Sequence, residues 1–336
     1  MSKPNILFAV KEEFYTTCFS EVDLSRIRTL GNIIDAPIPK EVTRDFLLKY
    51  TPGADIVITS WGTPPLDADV LAVAPRVKLV CHAAGSVRPV VSDTLWERGI
   101  RVTSSAAAIA YGVAEYCLGL LLLASKRTFW LANGTRQGYW MEPAKSYGGA
   151  FEIYQQNIGI IGAGHIGRRL IHLLKAFNCN LFVYDPYLGA EDAEKLGVTK
   201  VDDLETLFAT CRAVSLNAPT NEGTRHMLRG HHFAKFKPGS LFINTAGSIQ
   251  IHEEEFIAEL RKGYFVACID RCEREPVELD HPYRHLNNVL LSPHIAGVIA
   301  ENRLRIGTFV ANEIESFLRD GSLIYEITRE ALAKMA

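Results

Sequence analysis

The chain has 336 residues, 48% hydrophobic and 22% charged, with a formal net charge of −2. That length exceeds one ordinary single-core domain and sets about two domains as the prior. The near-neutral balance gives no electrostatic reason to expect nucleic acid or an anionic membrane as partner. The seven cysteines lack metal-ligand or CxxC spacing and read as buried reduced thiols of a cytoplasmic protein without a metal site.

From the N-terminus, Lys3 and Pro4 precede one short apolar run, Ile6–Val10. It is too short for the core of a secretory leader and reads as a first strand. The expected strands continue with Asp55–Thr59, Val77–Cys81, Arg101–Thr103, Asn157–Ile161, Asn180–Tyr184, Ala213–Leu216, Ser240–Asn244, Phe265–Ile269 and Val289–Leu291. Several are continuous apolar runs, as strands covered on both faces should be. Between them lie helical stretches. Ser92 and Asp93 offer N-caps before Thr94–Arg98, and Gly99 ends that helix. The longest helical pattern runs from Ala106 to Leu131, and a Gly/Pro-rich aromatic stretch from Asn133 to Gly149 breaks it. Its most apolar part, Tyr116–Ala124, is well short of the roughly 18 residues that span a bilayer. A long amphipathic helix, Val298–Leu318, closes the chain.

This alternation predicts an α/β fold with two parallel-sheet domains of Rossmann and flavodoxin-like type. Residues 1–104 and 299–336 are expected to form one discontinuous domain, and residues 105–298 a second, inserted Rossmann domain.

The strongest local signal is the run from Asn157 to Leu170, which reads strand, Gly162-x-Gly164-x-x-Gly167, helix. Gly162 makes the tight turn, Gly164 lets backbone approach a pyrophosphate, and Gly167 permits close helix–strand packing. His165 and Ile166 open the helix, whose N-terminus offers free N–H donors. The next strand ends in Tyr184-Asp185, roughly 20 residues on, where an acid should bind the adenosine ribose hydroxyls. Asp185 also repels a 2′-phosphate and no arginine closely follows it, so NAD is favoured over NADP.

Three further stretches end later strands: Ile243–Ser248, Ile269–Pro276 and Leu291–Gly297. With these the sequence resembles the D-2-hydroxyacid dehydrogenase family, from the Ala83–Val87 loop to the final helix. Val113-Ala-Glu115, Asn217-Ala218-Pro219 with Thr224, Glu275-Pro276 and Pro293-His294 fall in the family's order. The resemblance implies hydride transfer between nicotinamide and C2 of a 2-keto acid, a small-molecule substrate. His294 would be the general acid, with Glu275 pairing with its imidazole to keep it oriented and charged when needed. Asp270 would lie near the nicotinamide carboxamide. Thr245, Ala246, Gly247 and Gly297 would join Asn217, Ala218, Pro219 and Thr224 around the cofactor. Ala84 and the backbone N–H groups of Gly85 and Ser86 would hold the substrate carboxylate. The resemblance also implies a homodimer through the long helix and the segment Phe129–Met141.

The chain departs from the family at Gly247, where relatives carry a carboxylate-binding arginine, and at Ile109, where many carry asparagine. Losing one preorganised donor costs about 3–4 kcal/mol of transition-state stabilisation. Three accounts follow: Arg271 or Arg88 substitutes, the substrate is a less acidic carbonyl compound, or the chain is a catalytically silent NAD(H)-binding sensor or scaffold. Retention of Glu275 and His294 leans against the third. On sequence grounds, Gly247→Arg should raise activity at least tenfold if the acid pair is competent.

Overall fold

Apolar β-branched runs that alternate with helices leave little choice but parallel strands with crossovers. The computed structural model describes residues 3–140, 149–297 and 299–332. Among them the strands are, in chain order, β1 Asn5–Ala9, β2 Asn32–Ile33, β3 Ile56–Thr59, β4 Leu79–His82, β5 Arg101–Ser104, β6 Asn157–Ile161 and β7 Asn180–Tyr184. They continue with β8 Thr199–Val201, β9 Ala213–Leu216, β10 Leu241–Asn244, β11 Val266–Ile269, β12 Val289–Leu291 and β13 Glu326–Ile327. The chain divides into two compact units, Met1–Ile109 with Val298–Ala336, and Ala110–Gly297.

The first unit holds a six-stranded sheet in the order β13-β5-β4-β3-β1-β2. Its pairs are parallel except β13 on β5. Without β13 this is the doubly wound order in which the sheet reverses beside its first strand. The strand faces are covered on both sides: Leu7, Val57 and Val80 point into one core, and Ile6, Ile58 and Leu79 into the other. The second unit holds a seven-stranded, wholly parallel sheet in the order β12-β11-β10-β9-β6-β7-β8. Its reversal lies between β6 and β9, where such sheets bind dinucleotides. Phe208, Phe233, Phe242, Phe256 and Phe265 fill one side of that sheet.

Three short strands escape the sequence reading: β2, β8 and β13 contribute two or three residues at sheet edges. The long helical pattern also breaks earlier than its apolar periodicity implies. One helix runs Ala106–Ser125 and a second Thr128–Arg136, with Arg127 left-handed between them at φ 58°. The fully buried Arg127 side chain explains the stop. Its guanidinium donates to Ala124 O, a carbonyl orphaned by the helix end, and to Gly239 O. Burial, and then the charge of Arg212, pull its pKa down to about 10.

Helix Ala106–Ser125 is long and apolar enough to cross a membrane by length and composition, which the shorter stretch read from the sequence did not indicate. Ala110, Val113, Ala114, Cys117, Leu120, Leu121 and Ala124 are buried at helical spacing, the pattern of a helix laid against a core. Six of the seven cysteines are buried and all are unbridged. The described residues hold no group of side chains fit for a metal.

The closing helix, Leu304–Asp320, is preceded by a 3-10 turn at Ala300–Arg303. It buries Ile306, Gly307, Val310, Ala311 and Ile314 against the core around Ile6, Phe8, Phe19 and Ile27. A Cβ at Gly307 would stand 2.5 Å from Cys18 O and 3.0 Å from Phe19 Cα, both backbone atoms that cannot rotate away. Gly307→Ala is therefore expected to lower stability by about 1–3 kcal/mol, despite alanine's better helix propensity. Urea unfolding measures this, and a gain in stability would show that the helix can step aside.

Candidate active site

Register brings the chemistry-bearing turns of the second unit into one row. Ile161 is paired with Tyr184 and Leu216, Leu216 with Asn244, Asn244 with Ile269, and Ile269 with Leu291. The residues just beyond these strand ends therefore share one edge of the sheet.

The glycine turn lies at the sheet's reversal. Gly162 has φ 94°, and a Cβ there would lie 2.8 Å from Ala218 N at the end of β9. At Gly167 a Cβ would overlap the Gly162 carbonyl. Gly164, by contrast, faces open space within 4 Å. Two glycines thus bring helix His165–Leu174 down onto the strand, and the third leaves its N-terminus approachable. Asp185 sits over this turn, accepting from Ala163 N at 2.7 Å and from Tyr187 N at 2.8 Å. An open helix N-terminus beside a fixed carboxylate suits a pyrophosphate and an adjoining ribose diol. Burial, and then the charge of Arg168, lower the His165 pKa, so its imidazole adds little charge at neutral pH.

Other residues expected at the cofactor have local partners. Asn217 is buried and donates to Ser215 O and Oγ. Thr245 Oγ1 lies 3.1 Å from Cys117 Sγ. Thr224 Oγ1 donates to Pro219 O, which ties back the 219–224 loop. Gly297 faces open space.

Glu275 and His294 meet. His294 Nδ1 stands 2.7 Å from Glu275 Oε2, while Oε1 accepts from Cys272 N and from Arg271 Nε, each at 3.1 Å. Burial pushes the Glu275 carboxyl up. The Cys272 N–H, His294 and the Arg271 charge outweigh it and hold the carboxyl below the ordinary glutamate range. Glu275 thus stays ionised at neutral pH. His294 has φ 55°, a left-handed backbone that a histidine seldom adopts unaided. Asp270 holds it there: its main-chain oxygen accepts from His294 N at 3.1 Å. Its carboxylate accepts from Ser292 Oγ at 2.6 Å, Ile295 N at 3.0 Å and Ala296 N at 2.9 Å. The expectation that Asp270 lies by a nicotinamide amide is thus joined by a second task, fixing the turn that carries the imidazole. A cavity of about 440 Å³, lined by Cys272, Glu275, Val277, Arg284, Leu291 and His294 among others, opens beside this pair.

The surroundings of Gly247 were not legible in the sequence. Gln250 is fully buried, and its Nε2 lies 3.1 Å from each of Ala218 O, Pro219 O and Thr220 Oγ1. Its Oε1 is buried without a hydrogen-bond partner among the described residues. A Cβ on Gly247 would overlap Thr220 Oγ1 and lie 2.9 Å from Gln250 Oε1. A longer side chain at 247 therefore requires the ends of Thr220 and Gln250 to move aside. One signal was available: Gln250 is a lone amide between Ile249 and Ile251.

In the first unit, Ala84, Gly85 and Ser86 follow β4. Ala84 is buried, its carbonyl accepting from Ser105 N. The N–H groups of Gly85 and Ser86 meet no protein acceptor among the described residues. Ile109 Cδ1 would lie 3.6 Å from a Cβ on Gly85, so an apolar side chain borders this loop. Arg88 reaches Leu332 O.

Comparison with known proteins converges on one family. Residues 118–296 match the family model described as D-isomer specific 2-hydroxyacid dehydrogenase, NAD binding domain. The D-3-phosphoglycerate dehydrogenase of Methanocaldococcus jannaschii is 30% identical over 294 residues, 87% of this chain and 55% of that one. The hydroxypyruvate reductase of Thermotoga maritima is 30% identical over 278 residues, 82% of this chain and 88% of that one. The chain spans about half the length of the phosphoglycerate dehydrogenases it matches. Among solved structures, a phosphoglycerate oxidoreductase from Rhizobium etli superposes with a TM-score of 0.82 at 24% identity, covering 98% of this chain and all of that one. That likeness shows the two-sheet fold.

The packing around Gly247 makes a separate test. Gly247→Ala is expected to cost about 1–2 kcal/mol of stability. Adding Thr220→Ala, which removes the obstructing hydroxyl, should recover most of it. A double-mutant cycle in denaturant reads the coupling, and strictly additive losses would show that the two residues do not compete for space.

Proposed function

The chain belongs to the D-isomer specific 2-hydroxyacid dehydrogenase family and carries its NAD-binding domain, and from that premise we propose that it reduces a small 2-keto acid or related carbonyl compound and oxidises the matching 2-hydroxy compound. The observation that carries this reading is the 2.7 Å pair of His294 and Glu275, set on a turn that Asp270 holds rigid. An imidazole whose Nδ1 faces a carboxylate is fixed in the tautomer and orientation that leave Nε2 for the substrate. In reduction, His294 Nε2 gives its proton to the carbonyl oxygen as negative charge develops there. In oxidation the same nitrogen takes the hydroxyl proton. Glu275, ionised throughout the neutral range, stabilises the charged imidazole.

NAD(H), when bound, supplies or accepts the hydride. Gly162, Gly164, Gly167 and the helix N-terminus at His165 and Ile166 would hold its pyrophosphate, with Asp185 on the adenosine ribose. We assign Asn217, Ala218, Pro219, Thr224, Thr245, Ala246, Gly247, Asp270 and Gly297 to the rest of the cofactor's surroundings. We assign Gly85 and Ser86, whose N–H groups are unclaimed within their own unit, to the substrate carboxylate, with Ala84 shaping their loop. On this reading Ala110–Gly297 is the NAD domain and the other unit is the substrate domain.

We also propose a homodimer and a cytoplasmic location. Leu123, Tyr139 and Trp140 are exposed, Trp140 at 91%, apolar side chains of the kind that association covers. Met141, the end of the segment expected at that interface, lies outside the described residues. Buried, unbridged thiols support a reducing compartment.

The test is consumption of NADH with a panel of 2-keto acids. His294→Gln should lower kcat by about 10²–10⁴ while leaving NADH affinity within about threefold, and Glu275→Gln should cause a smaller loss. Undiminished turnover by His294→Gln would remove the pair from the mechanism.

A further inference from the structure

Gly247 offers no guanidinium, but one stands next door. Arg271 leaves the end of β11 beside β10, and Asn244 binds the two positions together. Its Nδ2 donates to Gly247 O at 2.8 Å and to Arg271 O at 3.3 Å. Arg271 Nε donates to Glu275 Oε1, and Glu275 Oε2 meets His294. One carboxylate therefore carries a guanidinium on one oxygen and the imidazole on the other.

Nε fixes one edge of the Arg271 group. The two Nη groups make no hydrogen bond to the described residues, and the side chain is 34% exposed. That leaves a planar pair of donors of the shape that receives a carboxylate end-on. Nearby alternatives are occupied. Arg284, which lines the adjoining cavity, donates to Glu278 O and Val277 O. Arg274 pairs with Glu278.

We propose that Arg271 binds the substrate's carboxylate, doing from the neighbouring strand what relatives do from position 247, so that the preferred substrates are 2-keto acids rather than uncharged carbonyl compounds. This rests on the acid–base reading of His294 and Glu275 given above.

The experiment compares wild type, Arg271→Met, Arg271→Lys and His294→Gln, each with NADH, on 2-keto acids and on their methyl esters. Oxamate, a carboxylate beside an amide carbonyl, is titrated separately into the protein–NADH complex by nicotinamide fluorescence. Arg271→Met should raise the KM for acids and the Kd for oxamate by about 30-fold or more, and lower kcat/KM for acids at least tenfold more than kcat/KM for the matching esters. Arg271→Lys should fall between. Equal losses on acids and esters, or unchanged oxamate binding, would overturn the proposal by reducing Arg271 to a support for Glu275. Wild type that binds oxamate through Arg271 but turns over no acid, or turnover that survives His294→Gln, would instead overturn the acid–base reading and leave the anion receptor standing. Failure of wild type both to bind oxamate and to reduce any acid would overturn both.

Discussion

The carboxylate of Asp270 is 2% exposed and accepts from Ser292 Oγ, Ile295 N and Ala296 N, while its own carbonyl takes His294 N. A buried charge is tolerated only when its lone pairs are filled, and here a single turn fills them. In return the turn cannot relax. His294 stays at φ 55°, a conformation costing about 1–2 kcal/mol for an L-residue outside such restraint. The imidazole is thereby delivered to Glu275 by backbone geometry, before any side-chain attraction acts. Loosening Asp270 would release the imidazole from its partner.

Glu275 works as a hub in the same way. Three donors converge on its two oxygens, and hydrogen bonds and charge together overcome the burial that would otherwise protonate it. The arrangement is electrostatically frugal, since the Arg271 cation and the Glu275 anion neutralise each other beside the imidazole.

Much of this was readable from residues. The strands of both sheet interiors announce themselves as continuous apolar runs, and Asn157–Ile161, Asn180–Tyr184, Ala213–Leu216 and Val289–Leu291 are found where the runs lie. The glycine turn was equally plain, because only glycine meets the demands at 162 and 167. Edge strands β2, β8 and β13 were not, since two or three residues carry no period. Nor was the break at Arg127, where the helix stops because one buried guanidinium collects carbonyls from distant parts of the chain. The closure around Gly247 is likewise tertiary: Thr220 and Gln250 come from separate loops and meet only in the fold. The Arg271–Glu275 contact was half visible. Strand alternation turns Arg271 away from Asp270, but the strand has ended by then, and the loop folds the guanidinium back.

The first unit is built from both ends of the chain, and this shapes its birth on the ribosome. Residues 110–297 emerge as an uninterrupted segment and can collapse around their own aromatic centre. The earlier segment has no such luck. Until Ile306, Val310 and Ile314 are synthesised, the core around Ile6, Phe8 and Ile27 lacks the helix that completes it, and β5 waits for β13 to cover its outer edge. The unit that starts before the inserted one is thus finished after it, an inversion of the usual vectorial order. Nascent chains should present that incomplete core to holdase chaperones until residues 304–327 have emerged.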